Sequence, residues 1–191
     1  MERRPPRGPH FGVVCSIVAR PDPHSYADDA QPLTRSFDWT ARVDFDARVL
    51  TCAITLTFTE PARGGPLDLD TRGLAIDEVV DAAGAPVPHT LHPVEPILGR
   101  RLEITLPPGA TSIRIRYRTS PEASALQWLT PEQTLGAHPY LFSQCQAIHA
   151  RSMIPCQDTP SIRQTYTATL DVPAELRGLM AAASRGREVQ G

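Results

Sequence analysis

Two runs of alternating apolar and polar residues, separated by a three-residue turn, constrain the fold of this chain more than any other feature. Every second residue is apolar from Phe37 to Phe45, and again from Leu50 to Phe58. A period of two is typical of a strand that buries one face and exposes the other. Two such runs joined at Asp46–Arg48 predict an antiparallel β-hairpin with one apolar face.

Shorter runs of the same kind follow the hairpin and predict further strands. They are centred on Leu67–Leu69, Leu74–Val80, Val87, Leu102–Leu106 and Ile113–Tyr117. Turn residues separate them, and the 20 prolines are roughly twice the usual share of about 5%. The pattern predicts a mainly β fold, an antiparallel sandwich or saddle.

Helical signals are confined to one segment near the carboxyl end, Pro173–Ala183. A proline stands near its start and good helix formers follow, although Gly178 lowers the helical propensity. This segment predicts a short helix at the end of an otherwise β chain.

The chain is long enough, at 191 residues, for one domain with a buried core. Residues 1–33 are rich in proline and charge and show no sustained period, which predicts an extended or disordered leader. The folded domain is expected over residues 34–191. Its sheet is expected to be incomplete at the carboxyl end.

Charge and hydropathy argue against two classes of partner. The formal net charge of -2 provides no field that would recruit nucleic acid, and no segment reaches the roughly 20 apolar residues of a membrane span. Residues 1–20 resemble a signal peptide but lack a convincing small-residue cleavage site. A cytoplasmic location is favoured, with export left open.

The four cysteines are widely spaced, which favours free thiols over a disulfide framework.

Three arginines, Arg114, Arg116 and Arg118, alternate with apolar residues in one predicted strand. A cluster of arginines can bind an anion, but strict alternation is typical of the solvated face of a strand. We therefore expect these side chains to face solvent.

No self-contained catalytic motif is found. The sequence lacks HExxH, GxSxG and a glycine-rich phosphate loop. His89 and His92 lie close together in a proline-rich stretch, but no third zinc ligand stands near them, so a surface loop pair is favoured. Cys145 and His149 are four residues apart, yet the sequence identifies no orienting partner or oxyanion donors for a thiol nucleophile.

The densest region reads SALQWLTPEQT at residues 124–134 and HPYLFSQCQAIHARSMIPCQDTPS at residues 138–161, and YTATLDVPAELRGLMAA follows at residues 166–182. Together with a proline-cysteine-x-aspartate-x-proline pattern at residues 155–160, these segments resemble the zinc aminopeptidase family that includes leukotriene-A(4) hydrolase and aminopeptidase B. Members remove amino-terminal residues from peptides, and some also hydrolyse an epoxide. The resemblance implies that this chain is their amino-terminal β saddle domain.

The resemblance also implies three site residues, Gln144, Gln146 and Ala147, which match positions that line the substrate cleft. Gln146 matches the position that contacts the free amine of the substrate, where many relatives carry glutamate. A glutamine amide can accept a hydrogen bond from an ammonium group, but without the charge of a carboxylate. The alternation of Gln144 and Gln146 taken alone leaves a polar strand face equally open.

Arg151, Asp158 and Arg163 lie in the same region of the resemblance. We expect these charged residues to form structural ion pairs of the domain and to take no part in catalysis.

In the resembled family the zinc ligands, the general-base glutamate and the GMEN-type loop all follow the amino-terminal domain. We therefore expect a domain of a zinc metallo-aminopeptidase that is inactive alone and binds no zinc itself. Its partners would be the missing catalytic domain and the amino terminus of a peptide substrate. The alternatives are a free-standing β module that binds peptides or a partner, and an independent cysteine-dependent enzyme.

Overall fold

The computed structural model describes residues 22–188, whose regular secondary structure consists almost entirely of strands. Two single-turn 3-10 helices, Pro131–Thr134 and Ala150–Ser152, interrupt them. The ten strands are β1 (Thr34–Asp44), β2 (Val49–Phe58), β3 (Gly65–Thr71), β4 (Ala75–Asp81), β5 (His89–Leu91), β6 (Arg100–Leu106), β7 (Ser112–Arg118), β8 (Leu126–Leu129), β9 (Tyr140–Ser143) and β10 (Thr165–Asp171).

The strands form three sheets. The largest has the order β10-β1-β2-β7-β4, the second has the order β3-β6-β5, and β8 pairs with β9. The predicted hairpin is confirmed as β1 and β2, with Phe37 opposite Leu56 and Val43 opposite Leu50. The predicted mainly β, antiparallel fold is confirmed as well. The β1–β10 pair is parallel, which the long connection between these two strands permits.

The core lies where the alternating apolar side chains of neighbouring strands meet. Ile54 of β2 and Ile115 of β7 are opposite each other, and both have no exposed surface. Arg114, Arg116 and Arg118 occupy the other face of β7 and are exposed, as predicted. The period of two along each strand therefore separates an apolar interior from a charged exterior.

Two of these exposed arginines pair with carboxylates of the neighbouring strand β4. Arg116 lies 3.5 Å from Glu78, and Arg118 lies 2.9 Å from Asp77. Such solvated ion pairs contribute little to stability, so the apolar face remains the main source of folding energy.

One polar chain crosses this core. The indole N–H of Trp39 donates to the Tyr117 hydroxyl at 2.9 Å, and that hydroxyl donates to the carbonyl of Met153 at 3.0 Å. Burial raises the pKa of Tyr117 well above its ordinary value, so the hydroxyl stays protonated and remains a donor. The two hydrogen bonds tie β1 and β7 to the segment that follows the second 3-10 helix.

Residues 22–33 fall within the predicted leader and contain no strand, but they contact the domain. The buried Ser25 hydroxyl donates to Asp70 at 2.6 Å, and the Tyr26 backbone N–H donates to the same carboxylate at 2.9 Å. The rest of the predicted leader, with Cys15 and the signal-like segment, lies outside the described residues.

The predicted helix at residues 173–183 is wrong. The segment forms a turn, in which the Leu176 N–H donates to the Pro173 carbonyl at 2.9 Å, and then runs without regular structure. A Cβ atom on Gly178 would lie 2.9 Å from a methyl carbon of Leu170. A larger residue at this position would require the Leu170 side chain to shift. The mostly exposed segment also offers no apolar stripe that would stabilise a short helix.

The three described cysteines, Cys52, Cys145 and Cys156, are free thiols, as predicted. Burial raises the pKa of Cys52 to about 12, which keeps this thiol protonated at neutral pH. Within residues 22–188, none of the helices has the length and apolar character needed to cross a membrane.

Candidate functional site

The three predicted site residues lie in the loop between β9 and the second 3-10 helix. Gln144, Gln146 and Ala147 are all exposed, and β9 ends at Ser143, before any of them. A polar strand face, the other interpretation of the alternating glutamines, is therefore wrong. The Gln146 N–H donates to the Gln144 side-chain oxygen at 3.1 Å, and the Gln146–Ala147 peptide bond is cis.

The strand that leads into this loop presents two aromatic side chains to solvent. Tyr140 is 54% exposed and Phe142 is 43% exposed. They are two residues apart and so project from the same side of β9. The three loop residues thus lie directly after an exposed aromatic pair. The aromatic rings can offer apolar contact to a binding partner, and the glutamine amides can offer hydrogen bonds.

Arg151, just beyond the loop, is the largest fully buried side chain of the described residues. Its Nε donates to Asp158 at 3.0 Å, its Nη1 donates to the Leu98 carbonyl at 2.9 Å, and its Nη2 donates to the His24 carbonyl at 2.7 Å. The ion pair predicted for Arg151 and Asp158 is confirmed. For the exposed Arg163, no ion pair is found among residues 22–188, so its predicted pairing stays a prediction.

The sequence reasoning missed Asp70, the second carboxylate of this cluster. It lies 3.5 Å from Arg151, has no exposed surface, and also accepts the Asp158 backbone N–H at 2.9 Å. Burial raises the pKa of Asp70, while the Ser25 hydroxyl and the Arg151 guanidinium act in the opposite direction. Asp70 belongs to a strand whose last five residues are all buried, so the alternating pattern gives no signal for it.

His89 and His92 have partners that are inconsistent with a metal site. His89 lies in β5, which corrects the predicted loop, and its Nδ1 is 3.1 Å from the Val87 carbonyl. His92 contacts Glu103 at 3.2 Å. No three histidine, cysteine, aspartate or glutamate side chains between residues 22 and 188 are placed to hold a metal ion. His89 and His92 therefore do not form a site for the zinc of the resembled family with the other described residues.

The Cys145 and His149 side chains do not form a nucleophile pair. They are linked through the backbone, where the His149 N–H donates to the Cys145 carbonyl at 2.9 Å, and the imidazole Nδ1 contacts the Ser124 hydroxyl at 2.8 Å instead. Burial raises the pKa of Cys145, as does the negative charge of Asp158. An activated thiol needs the opposite shift.

The raised pKa of Cys145 predicts slow alkylation. In a Cys15→Ser background, we expect Cys145 to react with iodoacetamide more slowly than free cysteine does at about pH 8, and its rate should keep rising as the pH is raised further. Cys52 and Cys156 should react only after unfolding, because both are buried. Mass-spectrometric alkylation kinetics measure each site. A Cys145 rate that levels off near pH 7 would contradict the inferred environment.

Comparison with known proteins identifies the class of domain. The family described as "Peptidase M1 N-terminal domain" matches residues 33–189. This match spans most of the chain, so the chain belongs to the family of Peptidase M1 N-terminal domains.

Among its relatives is the leukotriene A-4 hydrolase of Xenopus laevis, 42% identical over 172 residues, which are 86% of this chain and 28% of that protein. The leucine aminopeptidase 2 of Yarrowia lipolytica is 42% identical over 144 residues, or 72% of this chain and 22% of that protein. The chain thus spans less than a third of each of these relatives.

Solved structures share the fold. Native leukotriene A4 hydrolase from Saccharomyces cerevisiae superposes with a TM-score of 0.72 at 31% identity, over 89% of this chain and 26% of that one. An M1 zinc metallopeptidase from Deinococcus radiodurans superposes with a TM-score of 0.58 at 22% identity, over 75% of this chain and 33% of that one. The second likeness concerns the fold alone.

Proposed function

We propose that this chain is the amino-terminal, cleft-lining domain of a zinc metallo-aminopeptidase that removes amino-terminal residues from peptides. In this proposal Gln144, Gln146 and Ala147 form one wall of the substrate cleft. A catalytic domain supplies the opposite wall and the zinc. The chain alone is inactive.

The observation that carries the proposal is that the loop side chains are not needed by the fold. Gln144, Gln146 and Ala147 are exposed, although they lie only a few residues from the fully buried Arg151. Exposed polar loop residues held on a rigid sheet scaffold are a common arrangement for binding. The aromatic pair Tyr140 and Phe142 beside them supplies an apolar surface that a catalytic domain could cover.

Gln146 suits recognition of a peptide amino terminus in chemical terms. Its amide oxygen accepts a hydrogen bond from an ammonium group, and its NH₂ group donates to a peptide carbonyl. Because the amide carries no charge, its hydrogen bond to the ammonium group is weaker than that of a carboxylate. A carboxylate from the catalytic domain would then carry most of the attraction for the amine.

A fusion enzyme tests the proposed role of Gln146. Residues 22–188 replace the matching part of the Xenopus leukotriene A-4 hydrolase, and hydrolysis of aminoacyl-arylamides is measured. We expect Gln146→Ala to raise KM about tenfold, because a hydrogen bond to a charged group is lost. Gln146→Glu should lower KM, because a charge-assisted bond replaces a neutral one.

Gln133→Ala is the matched control, because Gln133 is an exposed glutamine of the first 3-10 helix, at the end of the β8–β9 pair opposite to the proposed wall. Its kinetics should equal those of the parent fusion. Equal KM values for the parent, Gln146→Ala and Gln146→Glu would overturn the role of Gln146. Zinc-dependent hydrolysis of the same arylamides by the 191-residue chain alone would overturn the proposed division of labour between domains.

A further inference from the structure

Burial explains little of the position of the Gln144–Ala147 segment, because Cys145 is the only one of its four side chains that is partly buried. All three proposed site residues are exposed, and the segment has no regular secondary structure. A loop of this kind samples many conformations unless contacts at its ends restrain it. Whatever holds the ends therefore determines where the proposed cleft wall stands.

Both ends are tied to the same short stretch, Ser124–Ala125, immediately before β8. At the first end the Gln144 N–H donates to the Ala125 carbonyl at 2.9 Å. At the second end the His149 imidazole Nδ1 lies 2.8 Å from the Ser124 hydroxyl. The His149 N–H also donates to the Cys145 carbonyl at 2.9 Å, which closes the loop on itself.

Ser152 adds a second link between the two sides. Its hydroxyl accepts the Ala125 N–H at 2.9 Å and donates to the His149 carbonyl at 2.8 Å. Ser152 and Ala125 have no exposed surface, and they adjoin the buried residues Arg151 and Leu126. The anchor is therefore part of the packed domain, whereas the loop that it restrains is exposed.

We propose that His149 is a positioning residue, which holds the Gln144–Ala147 segment against Ser124 so that the segment can face a peptide substrate. This inference rests on the proposed function. The imidazole itself need not touch substrate. It acts through the contact between its Nδ1 and the Ser124 hydroxyl. A residue that replaces His149 must therefore place a polar atom at the position that Nδ1 occupies.

Amide hydrogen exchange of the full chain, with no peptide or zinc present, tests the positioning directly. Ser124→Ala and His149→Gln should each speed exchange of the amides of residues 144–149 about three- to tenfold, since both lose the contact between Nδ1 and the Ser124 hydroxyl. Ser124→Ala also loses the 3.3 Å hydrogen bond that the Ser124 hydroxyl donates to the Ser152 hydroxyl. His149→Asn should keep the parent rate within about twofold, because its amide reaches where Nδ1 stood, whereas a glutamine amide reaches where Nε2 stood. Strand β2 serves as the internal reference.

Three outcomes would overturn the inference: unchanged exchange in Ser124→Ala, equal behaviour of His149→Asn and His149→Gln, or faster exchange that extends to β2. The last would mean a general loss of stability. Exchange is measured without substrate, so failure here is distinct from failure of the proposed function. A mobile loop with an unchanged KM in the fusion enzyme would refute the cleft wall and leave the anchor standing.

Discussion

Arg151→Met is expected to lower the free energy of unfolding by about 3–5 kcal/mol, because breaking a buried ion pair leaves uncompensated charge in the interior. Asp70 and Asp158 would both lose their cation, and the carbonyls of Leu98 and His24 would lose their donors. The free energy of unfolding of domains of this size is roughly 5–15 kcal/mol, so the expected loss is a large part of it. Urea unfolding followed by tryptophan fluorescence measures the change.

Arg116→Met is the matched control. Arg116 is 61% exposed beside Glu78, so its loss should cost less than about 1 kcal/mol. If Arg151→Met cannot be purified folded, Arg151→Lys retains a charge but not the planar set of donors, so it should be clearly less stable than the control but lose less than the roughly 3–5 kcal/mol expected for Arg151→Met. Stability of Arg151→Lys or Arg151→Met equal to that of Arg116→Met would contradict the structural role of the cluster.

Tyr117→Phe is expected to lower the free energy of unfolding by about 1–3 kcal/mol while the core keeps its shape. The substitution removes only the hydroxyl, which leaves the Trp39 indole N–H and the Met153 carbonyl without their partner. Trp39 is nearly fully buried, so water cannot readily replace the lost acceptor. Urea unfolding gives the free energy, and the near-ultraviolet circular dichroism of Trp39 shows whether the packing persists.

Tyr140→Phe provides the comparison for this change. Tyr140 is 54% exposed, so its hydroxyl is solvated before and after unfolding, and the expected change is within about 0.5 kcal/mol. Equal unfolding midpoints for the two variants would show that the Tyr117 hydroxyl contributes nothing to the fold.

The candidate site could be predicted in part. The run from Gln144 to Ala147 was identified through resemblance to a family, and the structure places these residues together in one exposed loop. The partners of His149 could not be predicted, because Ser124 lies 25 residues away. Sequence spacing pairs His149 with Cys145, four residues before it, but the imidazole contacts a more distant hydroxyl.

Strands β1, β2, β3, β4, β6 and β7 follow from local physics, and so the sequence by itself determined them, whereas β8, β9 and β10 were not predicted. The alternation from Phe37 to Phe58 specifies two strands and their buried face, because a period of two puts every second side chain on one side. The burial of charged residues that are far apart in the sequence could not be predicted in this way. Asp70 and Arg151 are 81 positions apart, and their buried charges are satisfied by each other, by Asp158 and Ser25, and by backbone groups that the completed fold brings to them. The helix predicted at residues 173–183 does not form, because the mostly exposed segment has no packed partner that would stabilise a short helix.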